Sequence, residues 1–269
     1  MRPLTARELC AAVGGTLLQD GAPVTGVTTD SRAVQPGNLF IPLVGERFDG
    51  HAYIGKALES GAAGCLTVKV PETLLPGKFY VQVADTRLAL KALASWYRGL
   101  FHIPVVQVTG SAGKTTTKEM IACVLSRRYS TLRTEGNLNN DIGAPLTLLR
   151  LTERHEAAVI ETGMNHFGEI RYLGEMVRPD IAVITNVGDA HIENLGNTRQ
   201  GILQAKCEIF ENLSPEGVAV LNGDDALLDT VTIPQRIVRC GESTHSGARV
   251  SAVTDRGIDG VDCTVTTAK

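Results

Sequence analysis

The sequence predicts an α/β protein with two parts, a small N-terminal α/β domain over residues 1–84 and a larger domain over residues 85–269. A chain of 269 residues is long enough for two domains, each with its own hydrophobic core. Short apolar runs alternate with amphipathic stretches, which is typical of strands and helices in α/β folds. From residue 105 the order becomes strand, turn, helix, which predicts a mainly parallel sheet with helices on both faces.

The N-terminal part is predicted to begin with a helix, because Thr5-x-x-Glu8 forms a capping box ahead of Leu9 and Val13. Strands are expected at residues 24–28, 39–43, 65–68 and 79–83, with a helix at 51–60. A further helix is predicted from Asp85 to about residue 100. We predict that the residues at helical spacing along it form a stripe in the core: Leu88, Leu93, Trp96 and Leu100.

The larger domain is predicted to contain five strands separated by five helices. The strands are expected at residues 105–108, 157–160, 181–187, 218–221 and 236–239. The helices are expected at 113–128, 140–150, 167–177, 198–212 and 225–230. Because ligands of parallel sheets bind beyond the carboxyl ends of the strands, we expect the functional residues directly after each strand.

A Gly-rich segment follows the first of these strands and is typical of a site for nucleotide phosphates. Backbone N–H groups of such a loop face the phosphate oxygens, Lys114 can reach the β- and γ-phosphates, and Thr115 can bind Mg²⁺. Val108 stands where the usual motif has its first Gly, so a purely structural Gly-rich turn is the alternative. We favour ATP binding by a domain of the P-loop ATPase type, through Thr109, Gly110, Ser111, Ala112, Gly113, Lys114, Thr115 and Thr116.

Polar residues also follow the other predicted strands, notably Glu161, His191 and the run Asn222–Asp225. A carboxylate and an imidazole beside a triphosphate suit Mg²⁺, which neutralises oxygens that would repel a nucleophile. Each residue alone has a simpler interpretation, such as a helix cap or a structural histidine. Lys206 lies on a predicted helix, where the pattern favours an exposed, solvated side chain. As an ammonium it cannot bind Mg²⁺, but a carbamate formed with CO₂ offers two anionic oxygens.

Composition and charge exclude several classes of partner. Lys and Arg number 26 against 29 Asp and Glu, giving a net charge of −3 with no basic patch, so no nucleic acid is expected. The N-terminus lacks the apolar core of a signal peptide and no apolar run reaches membrane-spanning length, so no membrane is expected. The six cysteines are scattered without a C-x-x-C pair, which favours reduced thiols and a cytoplasmic location. We expect a monomer.

Several segments together resemble the Mur ligases of peptidoglycan synthesis, and the resemblance covers essentially the whole chain. These segments are Thr109–Thr116, Gly136–Gly143, Glu161–Ile170, Asn186–His191, Ala205–Phe210, Asp30–Phe40 and Gly45–His51. The resemblance implies an ATP-dependent amide ligase that first phosphorylates a carboxylate and then lets an amine displace phosphate. The form of Glu161–Ile170 resembles the branch of the family that adds D-alanyl-D-alanine to UDP-MurNAc-tripeptide.

The resemblance also implies a role for each candidate residue. Lys114 would hold the β- and γ-phosphates, and Thr115 with Glu161 would hold one Mg²⁺. His191 and a carbamate of Lys206 would hold or orient a second Mg²⁺. Nucleotide or substrate contacts are expected from Asn139, Asn140 and Asn165. Contacts to the UDP group, in an N-terminal UDP-substrate-binding domain, are expected from Ser31, Arg32, Glu46 and Arg47.

Members of this family have three domains and are considerably longer than this chain. The sequence is therefore expected to be a truncated fragment that lacks the C-terminal domain, binds substrate and turns over little or not at all. Two alternatives stay open at this point. The chain could belong to a ligase of the same family that adds a different amino acid, or to a nucleotide-binding scaffold without catalysis.

Overall fold

The structure is a computed structural model that describes residues 1–243 and 247–267. The chain divides into two compact units, which are described separately. The first unit contains Met1–His102 and Asp141–His155, and the second contains Ile103–Asn140 and Glu156–Lys269. Within the described residues, no helix combines the length and the apolar character needed to cross a bilayer.

Helices are present in both units. The α-helices of the described residues are α1 (Ala6–Val13), α2 (Ile54–Glu59), α3 (Thr86–Arg98), α4 (Lys114–Leu125), α5 (Gly143–Leu148), α6 (Glu169–Val177), α7 (Arg199–Cys207) and α8 (Ala226–Asp229). Short 3-10 helices lie at Gly50–Tyr53, Ile192–Asn194, Glu208–Asn212 and Gly257–Asp259. The capping box predicted at Thr5 and Glu8 is present at the start of α1.

The first unit is built on a five-stranded sheet and a small hairpin. Its strands are β1 (Thr16–Gln19), β2 (Gly26–Thr28), β3 (Asn38–Phe40), β4 (Val44–Gly45), β5 (Phe48–Asp49), β6 (Gly64–Thr67) and β7 (Phe79–Gln82). The sheet order is β1-β7-β6-β3-β2, with only β1 antiparallel, and β4 pairs with β5. The loops after β2 and β3 therefore leave the same edge of the sheet.

Helix α3 packs within the first unit, and the core stripe predicted for it is correct at Leu93, which is buried, but wrong at its two ends. Leu88 is 59% exposed and Leu100 is 41% exposed, whereas Leu90 and Tyr97 are fully buried. The Tyr97 hydroxyl donates to the Leu151 carbonyl at 2.8 Å. The buried face is thus set by contacts with α1 and α5, which lie far away in the sequence. For the same reason the units divide after residue 102, whereas the sequence suggested a boundary after residue 84.

The second unit contains an eight-stranded sheet. Its strands are β8 (Val105–Thr109), β9 (Thr131–Arg133), β10 (Ala157–Glu161), β11 (Ile181–Ile184), β12 (Val218–Asn222), β13 (Arg236–Gly241), β14 (Ala248–Asp255) and β15 (Val261–Thr267). The order is β15-β14-β13-β12-β11-β8-β10-β9, and only the β14–β15 pair is antiparallel. The mainly parallel sheet predicted from the sequence is confirmed.

Helices cover both faces of this sheet, as predicted. Along β11, Val183 packs in a cluster with Val106 and with Ala122 of α4. Its neighbours Ala182 and Ile184 pack instead with buried residues of α6 and α7. Because alternate residues of a strand point to opposite faces, α4 lies on one side and α6 and α7 lie on the other. The candidate site lies in the segments that follow the carboxyl ends of β8, β10 and β11.

Candidate functional site

The Gly-rich loop connects the end of β8 to the start of α4. Gly110 has a φ of 156° and Gly113 has a φ of 75°. The Lys114 ammonium lies across the loop, donating to the Gly110 carbonyl at 2.9 Å and to the Ser111 carbonyl at 3.4 Å. The sequence prediction of a strand, a Gly-rich turn and a helix that begins at Lys114 is therefore realised in the backbone.

The segment after β11 holds this loop in place. The Asn186 side-chain oxygen accepts from the N–H groups of Ser111 and Ala112 at 3.0 and 2.9 Å. The Thr185 hydroxyl donates to the Ala112 carbonyl at 2.6 Å, and the Gly188 N–H donates to the Ser111 hydroxyl at 2.9 Å. Backbone bonds from Thr185 to Thr109 and from Ser111 to Asn186 continue past the strand, but the side-chain bonds tie this segment to the loop, and β11 itself ends at Ile184 and not at the predicted residue 187.

Gly110 is required by this packing, which gives a testable prediction. A Cβ atom at Gly110 would lie 1.8 Å from the Thr185 hydroxyl oxygen. We expect Gly110→Ala to lower the free energy of unfolding by about 3 kcal/mol, because the clash and the positive φ act together. Gly113→Ala is the matched control, since nothing lies within 4 Å of its Cβ position and only the φ of 75° is strained. Urea denaturation should show that Gly113→Ala lowers the free energy of unfolding by only about 1 kcal/mol. Equal losses in the two variants would contradict the close packing of Gly110 against Thr185.

Glu161 is the last residue of β10, and its carboxylate is hydrogen-bonded to Thr115 at the start of α4. Its side chain is only 1% exposed. One carboxylate oxygen, Oε1, accepts from the Thr115 hydroxyl at 3.2 Å and from the Asn139 side-chain amide at 2.8 Å. The other oxygen, Oε2, is buried and has no hydrogen-bond partner. The structure thus brings together Thr115, Asn139 and Glu161, all three of which the sequence analysis had selected as candidate site residues.

The residues around Glu161 fit a magnesium ion. Mg²⁺ is usually bound by one or two protein oxygens together with substrate phosphates and water. The Thr115 hydroxyl and Glu161 Oε1, which lie 3.2 Å apart where the phosphate-binding loop opens into α4, supply hard oxygen ligands of this kind. Among the described residues, no group of three or more His, Cys, Asp or Glu side chains forms a metal cluster.

Lys206 is buried on α7, so the exposed lysine favoured by the sequence pattern is wrong. Its residue exposure is 3%. Desolvation by burial, with a smaller contribution from the positive charge of Lys114, lowers the pKa of Lys206 to about 7. A pKa this low leaves a large fraction of the amine neutral at neutral pH. The helical pattern could not show this burial, because it depends on what packs against the end of α7.

The other predicted residues of the second unit are more exposed. His191 is exposed with a φ of 62°, and no hydrogen bond or ion pair of the described residues joins it to Glu161 or Lys206. Asn140 and Asn165 are also exposed. The backbone N–H of Asn165 donates to Glu169 at 2.6 Å, which fixes the turn before α6.

Sequence analysis missed Lys118, which contacts the same carboxylate. It lies one turn after Lys114 on α4 and is completely buried. Its ammonium nitrogen is 3.8 Å from Glu161 Oε2 and donates to the Thr134 carbonyl at 2.7 Å. The available signal was its spacing, since residues four apart on a helix share a face and Lys114 points to the phosphate loop.

In the first unit, the residues predicted to contact UDP follow β2 and β3. Arg32 forms an ion pair with Asp30 at 2.8 Å, and hydrogen bonds from Arg32 lower the pKa of Asp30 to about 2. Glu46 and Arg47 are exposed in the β4–β5 hairpin. A cavity of about 620 Å³ opens on the same unit, with walls that include Ile54, Val70, Leu75 and Tyr80. Neither Ser31 and Arg32 nor Glu46 and Arg47 line that cavity.

Two family profiles match the chain. The profile described as "Mur ligase middle domain" matches residues 108–261. The profile described as "Mur ligase family, catalytic domain" matches residues 23–98. The first match covers the Gly-rich loop, Glu161, His191 and Lys206, so the candidate site lies within a region typical of that family.

Relatives and solved structures give the same result. UDP-N-acetylmuramoyl-tripeptide--D-alanyl-D-alanine ligase of Escherichia coli strain K12 is 46% identical over 228 residues, covering 84% of this chain and 49% of that protein. A crystal structure of MurF from Acinetobacter baumannii has a TM-score of 0.88 at 34% identity, covering 98% of this chain and 61% of the other. MurF ligase from Thermotoga maritima, solved in complex with ADP, has a TM-score of 0.78 at 30% identity, with coverages of 91% and 58%. The chain spans about half the length of the curated relatives it matches.

Proposed function

Since this chain belongs to the Mur ligase family, we propose that it supplies the ATP-binding and UDP-substrate-binding parts of a peptidoglycan ligase. The proposed reaction joins D-alanyl-D-alanine to UDP-MurNAc-tripeptide at the expense of ATP. The observation that carries it is the buried Glu161 carboxylate, hydrogen-bonded to Thr115 where the phosphate-binding loop opens into α4. The 46% identity to the Escherichia coli UDP-N-acetylmuramoyl-tripeptide--D-alanyl-D-alanine ligase supports the choice of D-alanyl-D-alanine over another amino acid.

The chemistry requires activation of a carboxylate, because its negative charge repels an incoming amine. The γ-phosphoryl group of ATP is transferred to the terminal carboxylate of the tripeptide, giving an acyl phosphate and ADP. The amine of D-alanyl-D-alanine then attacks the acyl carbon, loses a proton and expels phosphate as the amide forms. Catalysis of such transfers consists mainly of positioning and charge neutralisation.

This chain's own residues would carry out the positioning of ATP. The N–H groups at the start of α4, from Gly113 to Thr116, and the Lys114 ammonium would bind the β- and γ-phosphates. Thr115 and Glu161 would hold Mg²⁺, which neutralises charge on the phosphate oxygens. For the phosphates to bind, the Lys114 ammonium exchanges its bonds to the Gly110 and Ser111 carbonyls for bonds to phosphate oxygens.

We further propose that Lys206 is carbamylated and acts with His191 at a second Mg²⁺. The neutral amine is the form that attacks CO₂, and the pKa of about 7 keeps that form available. Loss of one proton from the buried ammonium gives the neutral amine, and its addition to CO₂ releases a second proton, so the buried cation becomes an anion. The repulsion between the Lys206 and Lys114 ammonium groups is then replaced by attraction between the carbamate and Lys114, which stabilises the carbamate.

The remaining assignments are proposals of the same kind. Asn139, Asn140 and Asn165 contact nucleotide or substrate, and the loops with Ser31, Arg32, Glu46 and Arg47 contact the UDP group. We assign the UDP-substrate domain to the first unit, which includes the predicted residues 1–84, and the ATP-binding domain to the second unit, which lies within the predicted residues 85–269. All six cysteines lack a disulfide, which supports a reducing location such as the cytoplasm. A monomer is proposed for the enzyme.

The experiment that tests the proposed function uses the complete ligase with UDP-MurNAc-tripeptide and ATP. ADP release is measured with D-alanyl-D-alanine and, in parallel, with single amino acids such as D-glutamate and diaminopimelate. We expect ADP release coupled to amide formation only with D-alanyl-D-alanine. Turnover with a different amino acid would assign the chain to another ligase of the family. Nucleotide binding without any turnover would instead indicate a non-catalytic scaffold.

A further inference from the structure

Lys118 is a fully buried lysine for which the mechanism above has no role. Its ammonium nitrogen donates to the Thr134 carbonyl at 2.7 Å and lies 3.4 Å from the Gly136 carbonyl oxygen. It also forms ion pairs, at 3.0 Å with Glu119 Oε1 and at 3.8 Å with Glu161 Oε2. Burying an ammonium is costly unless carbonyls and carboxylates surround it. These contacts therefore hold the Lys118 side chain in one position on the buried face of α4.

Lys118 contacts the loop of residues 134–139, and both ends of that loop are hydrogen-bonded to Glu161. Thr134 follows β9, and its hydroxyl accepts from the Glu161 N–H at 3.0 Å. The loop that continues from Thr134 ends at Asn139, whose side-chain amide donates to Glu161 Oε1 at 2.8 Å. The Gly163 N–H donates to the Asn139 carbonyl at 2.8 Å and closes the loop against the end of β10. Lys118 thus lies at the base of a loop whose tip binds the same carboxylate.

The two oxygens of Glu161 have different surroundings, and Lys118 faces only one of them. Oε1 has two hydrogen-bond donors, Thr115 and Asn139. Oε2 has no hydrogen-bond donor and faces the Lys118 ammonium at 3.8 Å. Without that positive charge, the side chain has no electrostatic reason to keep Oε2 pointed inward while Oε1 faces Thr115.

We propose that Lys118 is a positioning residue of the nucleotide site. Its ammonium fixes the rotation of the Glu161 carboxylate and, through the Thr134 and Gly136 carbonyls, the loop that presents Asn139. The inference rests on the proposed function, in which Glu161 and Thr115 hold Mg²⁺. Because Lys118 has no exposed surface, it acts through Glu161 and Asn139 and not by contact with the nucleotide.

The test compares ADP binding by this chain with and without Mg²⁺, using titration calorimetry. The measured quantity is the Mg²⁺-dependent gain, defined as the ratio of the two dissociation constants. Lys118→Met keeps the length of the side chain and removes its charge, and should reduce the gain about tenfold or more, as is typical when a partner of a metal ligand is lost. The Mg²⁺-free affinity should be unchanged, because the loop N–H groups and Lys114 remain. A general structural defect would weaken both.

Two further variants make the test specific. Glu119→Gln breaks the other ion pair of the same ammonium but leaves Glu161 untouched, and should keep the full gain. In a Glu161→Gln background, Lys118→Met should have no additional effect on the gain, because the two residues act through one carboxylate. An unchanged gain in Lys118→Met, an equal loss in Glu119→Gln, or additive losses in the double variant would each overturn the proposal.

Hydrogen exchange separates failure of the inference from failure of the proposed function. The double variant Lys118→Met/Glu161→Gln carries no unpaired buried charge, so it should fold even where Lys118→Met alone does not. Amides of residues 134–140 should exchange at least about tenfold faster in it than in Glu161→Gln alone, because the Lys118 bonds to the loop are missing. Equal exchange rates would overturn the positioning role. If the unmodified chain shows no Mg²⁺-dependent ADP binding, the proposed function fails, and these exchange rates alone decide the role of Lys118.

Discussion

Replacing Glu161 by Gln in the complete ligase should lower kcat about a thousandfold, an effect of the size seen when one key charge-stabilising group is lost. The Gln side chain has nearly the same shape, and its carbonyl oxygen can still accept from Thr115 and Asn139. What it lacks is the negative charge that attracts Mg²⁺ to the β- and γ-phosphates. Steady-state ADP release with both substrates saturating measures the effect.

The control for this prediction is Glu156→Gln, which removes a carboxylate from the opposite end of the same strand. Glu156 is exposed, and its side chain accepts from the Ser130 N–H at 3.0 Å. Its loss should leave kcat within about twofold, since surface substitutions away from a site change little. Full activity of Glu161→Gln would mean that this carboxylate is not a metal ligand. The Thr115–Glu161 hydrogen bond would then be purely structural.

The arrangement of Glu161 and Thr115 could be predicted from the sequence because it follows from topology. Both residues come after apolar runs that form adjacent parallel strands, and parallel strands end at the same edge of a sheet. This prediction did not require knowing that β10 pairs directly with β8. A one-place error in strand order would still have left the two residues on the same edge of the sheet.

Features set by long-range packing could not be predicted in this way. The hydrophobic spacing of α3 selected Leu88, but contacts with α1 and α5 bury Leu90 and leave Leu88 exposed. Lys118 and Lys206 look like surface residues in any local pattern, and only the tertiary structure buries them. The β14–β15 pair was also missed, although Val261, Cys263 and Val265 alternate with polar residues along β15, and all residues of that strand are exposed.

A buried lysine beside another lysine is unfavourable unless its charge is altered, and this is the physical basis of the Lys206 proposal. Desolvation and the Lys114 charge both disfavour the ammonium form. A carbamate removes the like-charge repulsion and supplies oxygens for a metal. An unmodified lysine that acts only as a cation has no comparable reason to lie in this position.

Replacing Lys206 by Ala in the complete ligase should therefore lower kcat about a hundredfold or more, as for loss of a residue that holds a metal. Short carboxylates such as formate or acetate should restore part of the activity, because they fit the space of the missing carbamate and carry its charge. Lys206→Arg is the matched variant, since Arg keeps the positive charge but cannot form a carbamate. It should stay inactive and should not respond to carboxylates, because the guanidinium fills the site. An active Lys206→Arg enzyme, together with a Lys206→Ala enzyme that carboxylates do not rescue, would show that the residue works as a cation. In that case the second metal would need another ligand.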